Sequence, residues 1–289
     1  MNKQQGRVGI EFISVLGLPP VAFVELAAEL ECGHIGMALQ PMFRENPHGY
    51  PPWSLRSDPG LRRDTKAAMR NRGVSISLGE GFLARPDQDI GDSAADLDLM
   101  RELGAERVNL VSLDPDLSRA FAQCARFAEL ATARGLMATL EYLPGLAIGN
   151  LATAVAAVRH AANPDFRVLV DAMHFFRSGS VPAELAALDP GLIGYVQLCD
   201  VPLVSKHASY ADEARFDRLP PGRGELPLLD LLAAAPPDVI VGLETPMLRA
   251  AQEGIGPGQR LSGAVRATRE LLARAGALHD GARARHRIT

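Results

Sequence analysis

Eight short apolar runs alternate with amphipathic stretches along the 289 residues of this chain, and that alternation restricts the fold more than any other feature. The runs are Arg7–Ile13, His34–Leu39, Val74–Leu78, Arg107–Leu113, Leu136–Glu141, Phe166–Asp171, Ile193–Leu198 and Val239–Glu244. Between and after them lie stretches of helical period: Val21–Leu30, Leu61–Arg72, Asp89–Leu103, Ser118–Arg134, Leu151–Ala162, Pro182–Leu188, Leu226–Ala235 and Leu261–Ala277. Strands separated by helices at this spacing are parallel, with each helix serving as a crossover. Val168–Val170 shows no polar alternation, so both of its faces are covered, as in a sheet wrapped by helices. The reading is α/β, with the strands closed into a single (β/α)8 TIM barrel, which typically takes about 250 residues. An open doubly wound sheet is the alternative. It normally carries a glycine-rich phosphate turn after its first strand, and Ser14–Leu18 has none.

Local punctuation agrees with these boundaries. Asp58-Pro59 supplies a cap and a first-turn proline, Asn150 caps the stretch from Leu151, and Gly33, Gly73, Gly104 and Gly135 stand where helices should end. No break in composition divides the chain, so one domain over 1–289 is expected, with 279–289, rich in Arg and His, as a flexible tail. Two connections are long. Gln40–Ser57 carries Met42, Phe43, Tyr50 and Trp53, too aromatic for a disordered linker, and Pro202–Gly224 follows the seventh run; both read as lids over a substrate.

Composition narrows the function classes. A formal net charge of −4 opposes a polyanion-binding surface, so a small molecule is the expected partner and nucleic acid is not. The three cysteines are scattered and odd in number, which argues against a disulfide framework and for a reducing cytoplasm. Met1–Arg7 is polar, and no apolar stretch reaches the ~18 residues needed to span a bilayer, so no membrane partner is expected. A homo-oligomer is the one macromolecular partner left open.

The chemistry concentrates where the runs stop. Glu141, Asp171, Gln197 and Glu244 each put a side-chain oxygen at or near a strand exit, the end at which barrel enzymes keep their active sites. His174 follows Asp171 in an Asp-x-x-His arrangement. Together with Val170–His174, Tyr195–Asp200, Leu219–Glu225 and Gly242–Pro246, these residues resemble the metal site of the xylose-isomerase-like barrel superfamily over nearly the whole chain. That superfamily includes sugar and sugar-phosphate isomerases and epimerases, hydroxypyruvate isomerase, ketose 3-epimerases and dehydroshikimate dehydratases. Members commonly have His where this chain has Gln197; the hydroxypyruvate-isomerase branch is similar to it in using Gln.

The resemblance implies that Glu141, Asp171, Gln197 and Glu244 ligate one divalent ion, with Glu141 and Glu244 exchanging protons as base and acid on an enediolate. Three carboxylates and an amide oxygen form a hard, anionic set suited to Mg2+ or Mn2+. The other reading of these acids is as helix caps or ion pairs on the barrel rim. His174 either contacts substrate or metal, or only orients Asp171. Arg223, in Pro-Gly-Arg-Gly-Glu, suits a carboxylate or phosphate, while Lys206, His207 and Arg215 offer other cations on the same loop. Glu80, ending the third run, is a candidate for a substrate hydroxyl.

The expected activity is therefore a metal-dependent sugar isomerase or epimerase in carbohydrate metabolism. The alternative is a dehydroshikimate-type dehydratase, a lyase using the same site. Phosphodiester cleavage needs a histidine-rich zinc cluster that the seven histidines, mostly away from strand exits, do not supply. A silent binding subunit is opposed by the retained carboxylates.

Overall fold

In the computed structural model, which describes residues 5–286, eight parallel strands close into a barrel in sequence order. They are β1 (Val8–Ile10), β2 (His34–Ala38), β3 (Ser75–Ala84), β4 (Arg107–Ser112), β5 (Met137–Glu141), β6 (Phe166–Asp171), β7 (Ile193–Leu198) and β8 (Val241–Leu243). The ring is sealed by β8 against β1, with Gly9 opposite Gly242 and Ile10 opposite Leu243. Around it run α1 (Pro20–Glu29), α2 (Pro59–Arg72), α3 (Ala94–Leu103), α4 (Leu117–Thr132), α5 (Leu151–Ala161) and α6 (Ala172–Arg177). These are followed by α7 (Pro182–Ala186), α8 (Tyr210–Phe216), α9 (Leu228–Ala234), α10 (Leu248–Gln252) and α11 (Pro257–His286). Helix α11 extends into the segment read as a tail, and 287–289 lie outside the described residues.

Strand alternation sorts the side chains. Val8, Ile10, Ala138, Leu140, Val168, Val170, Val196, Leu198, Val241 and Leu243 join the large core between barrel and helices. The inward phase carries a second, small apolar cluster, Leu78, Leu169 and Tyr195. One step further along the same phase come Glu11, Glu141, Asp171, Gln197 and Glu244, which therefore converge above the packed floor. Glu11 and Glu244 sit just beyond their strands but continue the ladder, Glu11 N–H donating to Leu243 O at 3.0 Å and Glu244 N–H to Leu198 O at 2.9 Å.

Several boundaries differ from the sequence reading. Phe12 and Ile13 leave β1 for a 3-10 turn over Phe12–Val15, where Phe12 packs against Phe23 and Trp53 at centroid separations of 6.4 and 5.7 Å. Strand β3 continues past Glu80 to Ala84, with a register shift against β4 and Gly81 at φ 98°, a conformation that a β-carbon would strain. The left-handed residue after α1 is Glu31 at φ 57°, and Gly33 keeps an ordinary φ. The short helices α6, α8 and α10 were not anticipated. Asp171 creates α6 by accepting the His174 N–H at 2.8 Å, so the carboxylate that ends β6 also caps the next helix.

Candidate metal centre and acid cluster

Glu141, Asp171, His174, Gln197, Glu244 and Glu80 all face the C-terminal mouth of the barrel. Glu141, Asp171 and His174 each offer a ligand atom, and those atoms lie within 4.8 Å of one another. Glu141 is held on one side by Asn109, whose Nδ2 donates to Oε2 at 2.8 Å, while Thr139 fixes that amide through Asn109 Oδ1 at 3.0 Å. On its other side Glu141 Oε1 lies 3.4 Å from His174 Nε2. The remaining ring nitrogen, Nδ1, is 2.5 Å from the Tyr210 hydroxyl of α8. Gln197 is fully buried, and among the described residues neither its amide oxygen nor its nitrogen has a hydrogen-bond partner. Buried amides are almost always satisfied, so this side chain is arranged for a group that completes the site.

Arg223 lies elsewhere. It is exposed in the turn after Pro220, its N–H donating to Pro220 O at 3.0 Å. The arginine inside the acid set is Arg218, only 3% exposed. Its Nη1 is 2.5 Å from Asp171 Oδ2 and 2.8 Å from Glu244 Oε2; the second contact is an ion pair not aligned as a hydrogen bond. Nε donates to Ala214 O at 2.7 Å, which ties the guanidinium to the end of α8. Lys206 and Arg215 are exposed, and His207 pairs with Asp217 at 3.0 Å.

A second acid pair completes the mouth. Glu11 is fully buried, and its carboxyl lies within hydrogen-bond reach of Glu80. The Tyr195 hydroxyl donates to Glu11 Oε1 at 2.7 Å. Room for this carboxyl comes from two glycines: a β-carbon on Gly242 would collide with Glu11 Oε1, and one on Gly36 with both Glu11 and Glu80. Glu11 went unnamed in the sequence because the first apolar run was carried through Ile13, hiding that β1 ends at Ile10 and that Glu11 is an exit residue like the others. Arg218 and Tyr210 had no comparable signal, since neither is placed by strand or helix period.

The electrostatics are unequal across the set. Burial pushes Glu11 up to about 7, with the Glu80 hydrogen bond opposing and Glu244 reinforcing the rise. Glu80 stands well above the usual range through burial and the adjacent Glu11. Glu244 is likewise raised, burial and its acidic neighbours outweighing Arg218. Asp171 goes the other way: burial opposes its ionisation, but Arg218, His174 and their hydrogen bonds hold it below the ordinary aspartate value. The Cys199 thiol, 3.4 Å from Arg218, is raised by burial and is a packing group, not a nucleophile.

Five carboxyl groups, Glu11, Glu80, Glu141, Asp171 and Glu244, thus gather at this mouth, and Arg218 pairs with two of them, Asp171 and Glu244. This acid surplus, the clustered ligand atoms of Glu141, Asp171 and His174 and the unpartnered Gln197 amide fit a divalent cation.

Residues 24–270 match the family model described as xylose isomerase-like TIM barrel, and the chain belongs to that family. No curated protein matches the sequence. Among solved structures, a xylose isomerase-like TIM barrel/4-hydroxyphenylpyruvate dioxygenase fusion protein aligns with 21% identity and TM-score 0.72; 91% of this chain covers 42% of it, less than half the fusion's length. An IolI protein with a bound zinc atom aligns over 94% of this chain and 98% of its own, with 16% identity and TM-score 0.72. A D-psicose 3-epimerase with D-tagatose, from Clostridium cellulolyticum H10, aligns over 96% and 98% with 17% identity and TM-score 0.61. At these identities the similarity is one of fold. No helix among the described residues is long and apolar enough to cross a membrane.

Proposed function

We propose that this chain is a divalent-cation-dependent isomerase or epimerase of a small hydroxycarbonyl compound, a sugar, sugar phosphate or hydroxypyruvate-like acid, acting through an enediolate. The observation that carries the reading is the cluster of ligand atoms from Glu141, Asp171 and His174 at the C-terminal mouth, with the unpartnered Gln197 amide on the strand paired to Asp171 and Glu244 linked to Asp171 through Arg218. Glu141, Asp171, Gln197 and Glu244, joined by His174, would hold the cation. When bound, the cation supplies Lewis acidity that makes the proton beside the substrate carbonyl acidic. The His174 nitrogen, added to an otherwise oxygen-only set, favours Mn2+ over Mg2+.

The chain's own groups then divide the work. Glu141, oriented by Asn109 and extending from β5, takes the proton on one side of the substrate. Glu244, just beyond β8, returns a proton from the other. Two carboxyl groups in unlike surroundings are what an acid and base pair requires. Asp171 and His174 are at most 1% exposed, so the chemistry is shielded from water. Glu80 faces a cavity of about 190 Å³ lined also by Gln40, Met42, Arg56 and Phe82, and this is where the distal hydroxyls of a substrate fit. The three free, buried cysteines suit the cytoplasm.

One observation favours a second reading, a dehydratase. The Glu11 and Glu80 carboxyls lie side by side over Gly36 and burial raises both, which suits the pair to hold a proton, and elimination of a β-hydroxyl needs such a proton for its leaving group. Incubating Mn2+-loaded protein with ketoses, hydroxypyruvate and dehydroshikimate in heavy water separates the cases. Deuterium uptake beside the carbonyl with an isomer or epimer as product supports the first reading. Water loss from dehydroshikimate supports the second. No exchange with any of them while Mn2+ is bound overturns both.

A further inference from the structure

We propose that Arg218 is the resident counterion of the acid cluster: a divalent cation and the Arg218 guanidinium compete for the same oxygens of Asp171 and Glu244, so that cation binding loosens the docking of α8. The inference rests on the metal reading above and adds a residue and a consequence that the reading does not contain.

The geometry supplies the competition. A guanidinium is stable when buried only if its charge is matched, and Arg218 finds that match in Asp171 Oδ2 at 2.5 Å and Glu244 Oε2 at 2.8 Å. Both residues belong to the set that would ligate the cation. Asp171 has little spare capacity, because its Oδ1 already accepts the His174 N–H at 2.8 Å. A dication approaching Asp171 and Glu244 therefore meets a like charge already seated on them, and either the guanidinium withdraws or the cation binds more weakly.

The same side chain is built into the lid. Arg218 Nε donates to Ala214 O at 2.7 Å, closing the C-terminal end of α8. The Arg218 backbone is anchored separately, N–H to Pro246 O at 3.1 Å, so displacement is a motion of the side chain and of the helix end it caps. Tyr210, at the other end of α8, reaches His174, another candidate ligand. One end of this helix is thus fastened to a candidate ligand and the other to the counterion of two more, and its other ties, among them Glu213 to Arg177 at 3.2 Å, Ser205 to Glu213 at 2.7 Å and Phe216 to Phe43 at 5.4 Å between centroids, lie outside the cluster.

Calorimetric titration with MnCl2 and amide hydrogen exchange over 210–218 test this on the full chain, using wild type, Arg218→Gln, Arg218→Lys and Asp171→Asn. The expected results are Mn2+ affinity raised about ten-fold or more in Arg218→Gln, near wild type in Arg218→Lys and reduced in Asp171→Asn. Mn2+ should also speed exchange in α8 of the wild type, a measurement that needs no variant to fold. Unchanged or weaker Mn2+ binding by folded Arg218→Gln, or α8 protected by Mn2+ in the wild type, overturns the competition while leaving the metal site standing. Absence of Mn2+ binding in every protein overturns the metal reading and this inference together. Binding by Arg218→Gln alone supports both.

Discussion

The Tyr195 hydroxyl donates a 2.7 Å hydrogen bond to Glu11 Oε1, joining the floor of the barrel on β7 to the acid at the exit of β1. Both groups are fully buried, and Arg107 lies over the tyrosine ring at 5.5 Å. Tyr195→Phe keeps the ring and its packing but leaves a buried carboxyl oxygen without its donor. The expected cost is ~1–3 kcal/mol, measured as a shifted urea midpoint with an unchanged slope. A loss below a few tenths of a kcal/mol would mean that water reaches Glu11.

Glu11 also gives stability a defined pH dependence. In the folded protein its pKa is pushed up to about 7, above the ordinary glutamate value of 4.5, so the native state holds the proton more tightly than the unfolded chain. The stabilisation from this group is complete below about pH 4.5 and is lost as pH rises toward 7, by up to ~1.4 kcal/mol per pH unit. Asp171, lowered from 3.8, contributes in the opposite sense, its stabilisation present above that value and lost in stronger acid. Glu11→Gln removes one titrating group while its amide can still donate to Glu80. Urea melts from pH 4.5 to 7 should show a shallower decline than wild type, and an identical decline would assign the proton to Glu80 or Glu244 instead.

The two long connections read from the sequence as lids are latched to each other. Phe43, in the connection after β2, meets Phe216 of α8 at 5.4 Å in an edge-on arrangement, and Arg215 lies over the Phe43 ring at 5.9 Å. An aromatic pair of this kind contributes ~0.5–1.5 kcal/mol, so Phe43→Ala should speed amide exchange in α8 by about two- to ten-fold. Strand amides should be unaffected. Faster exchange throughout the barrel would show that Phe43 supports the core rather than a latch.

What the sequence made legible follows from which positions obey a period. Eight apolar runs pointed to the barrel, and Glu141, Asp171, Gln197 and Glu244 could be picked out because each puts a side-chain oxygen at or near the end of its run. The inward phase that gathers them could not be read from Val168–Val170, where both faces are buried and alternation is silent. Glu11 was obscured for a related reason: Phe12 and Ile13 look like more strand but form a 3-10 turn against α1. Arg218 belongs to a long connection, where position depends on tertiary anchors such as its N–H to Pro246 O, and no local pattern distinguishes it from Arg215 or Arg223.

Glu244 offers the sharpest test of the chemistry. The residue is 4% exposed, and burial drives its carboxyl toward the protonated form, with Arg218 opposing and Asp171, Glu141 and Glu80 reinforcing the rise. Glu244→Gln preserves the shape and one ligand oxygen but cannot exchange a proton, and should lower turnover by ~10²- to 10⁴-fold. Weakened cation binding would lower turnover as well, so the variant is assayed with bound Mn2+ measured and saturating. Glu141→Gln is the companion. If each glutamate serves one side of the substrate, either variant retains deuterium exchange in the direction served by the other, and neither completes epimerisation. Near-normal turnover by metal-loaded Glu244→Gln would remove Glu244 from proton transfer and leave it the role of a ligand beside Arg218.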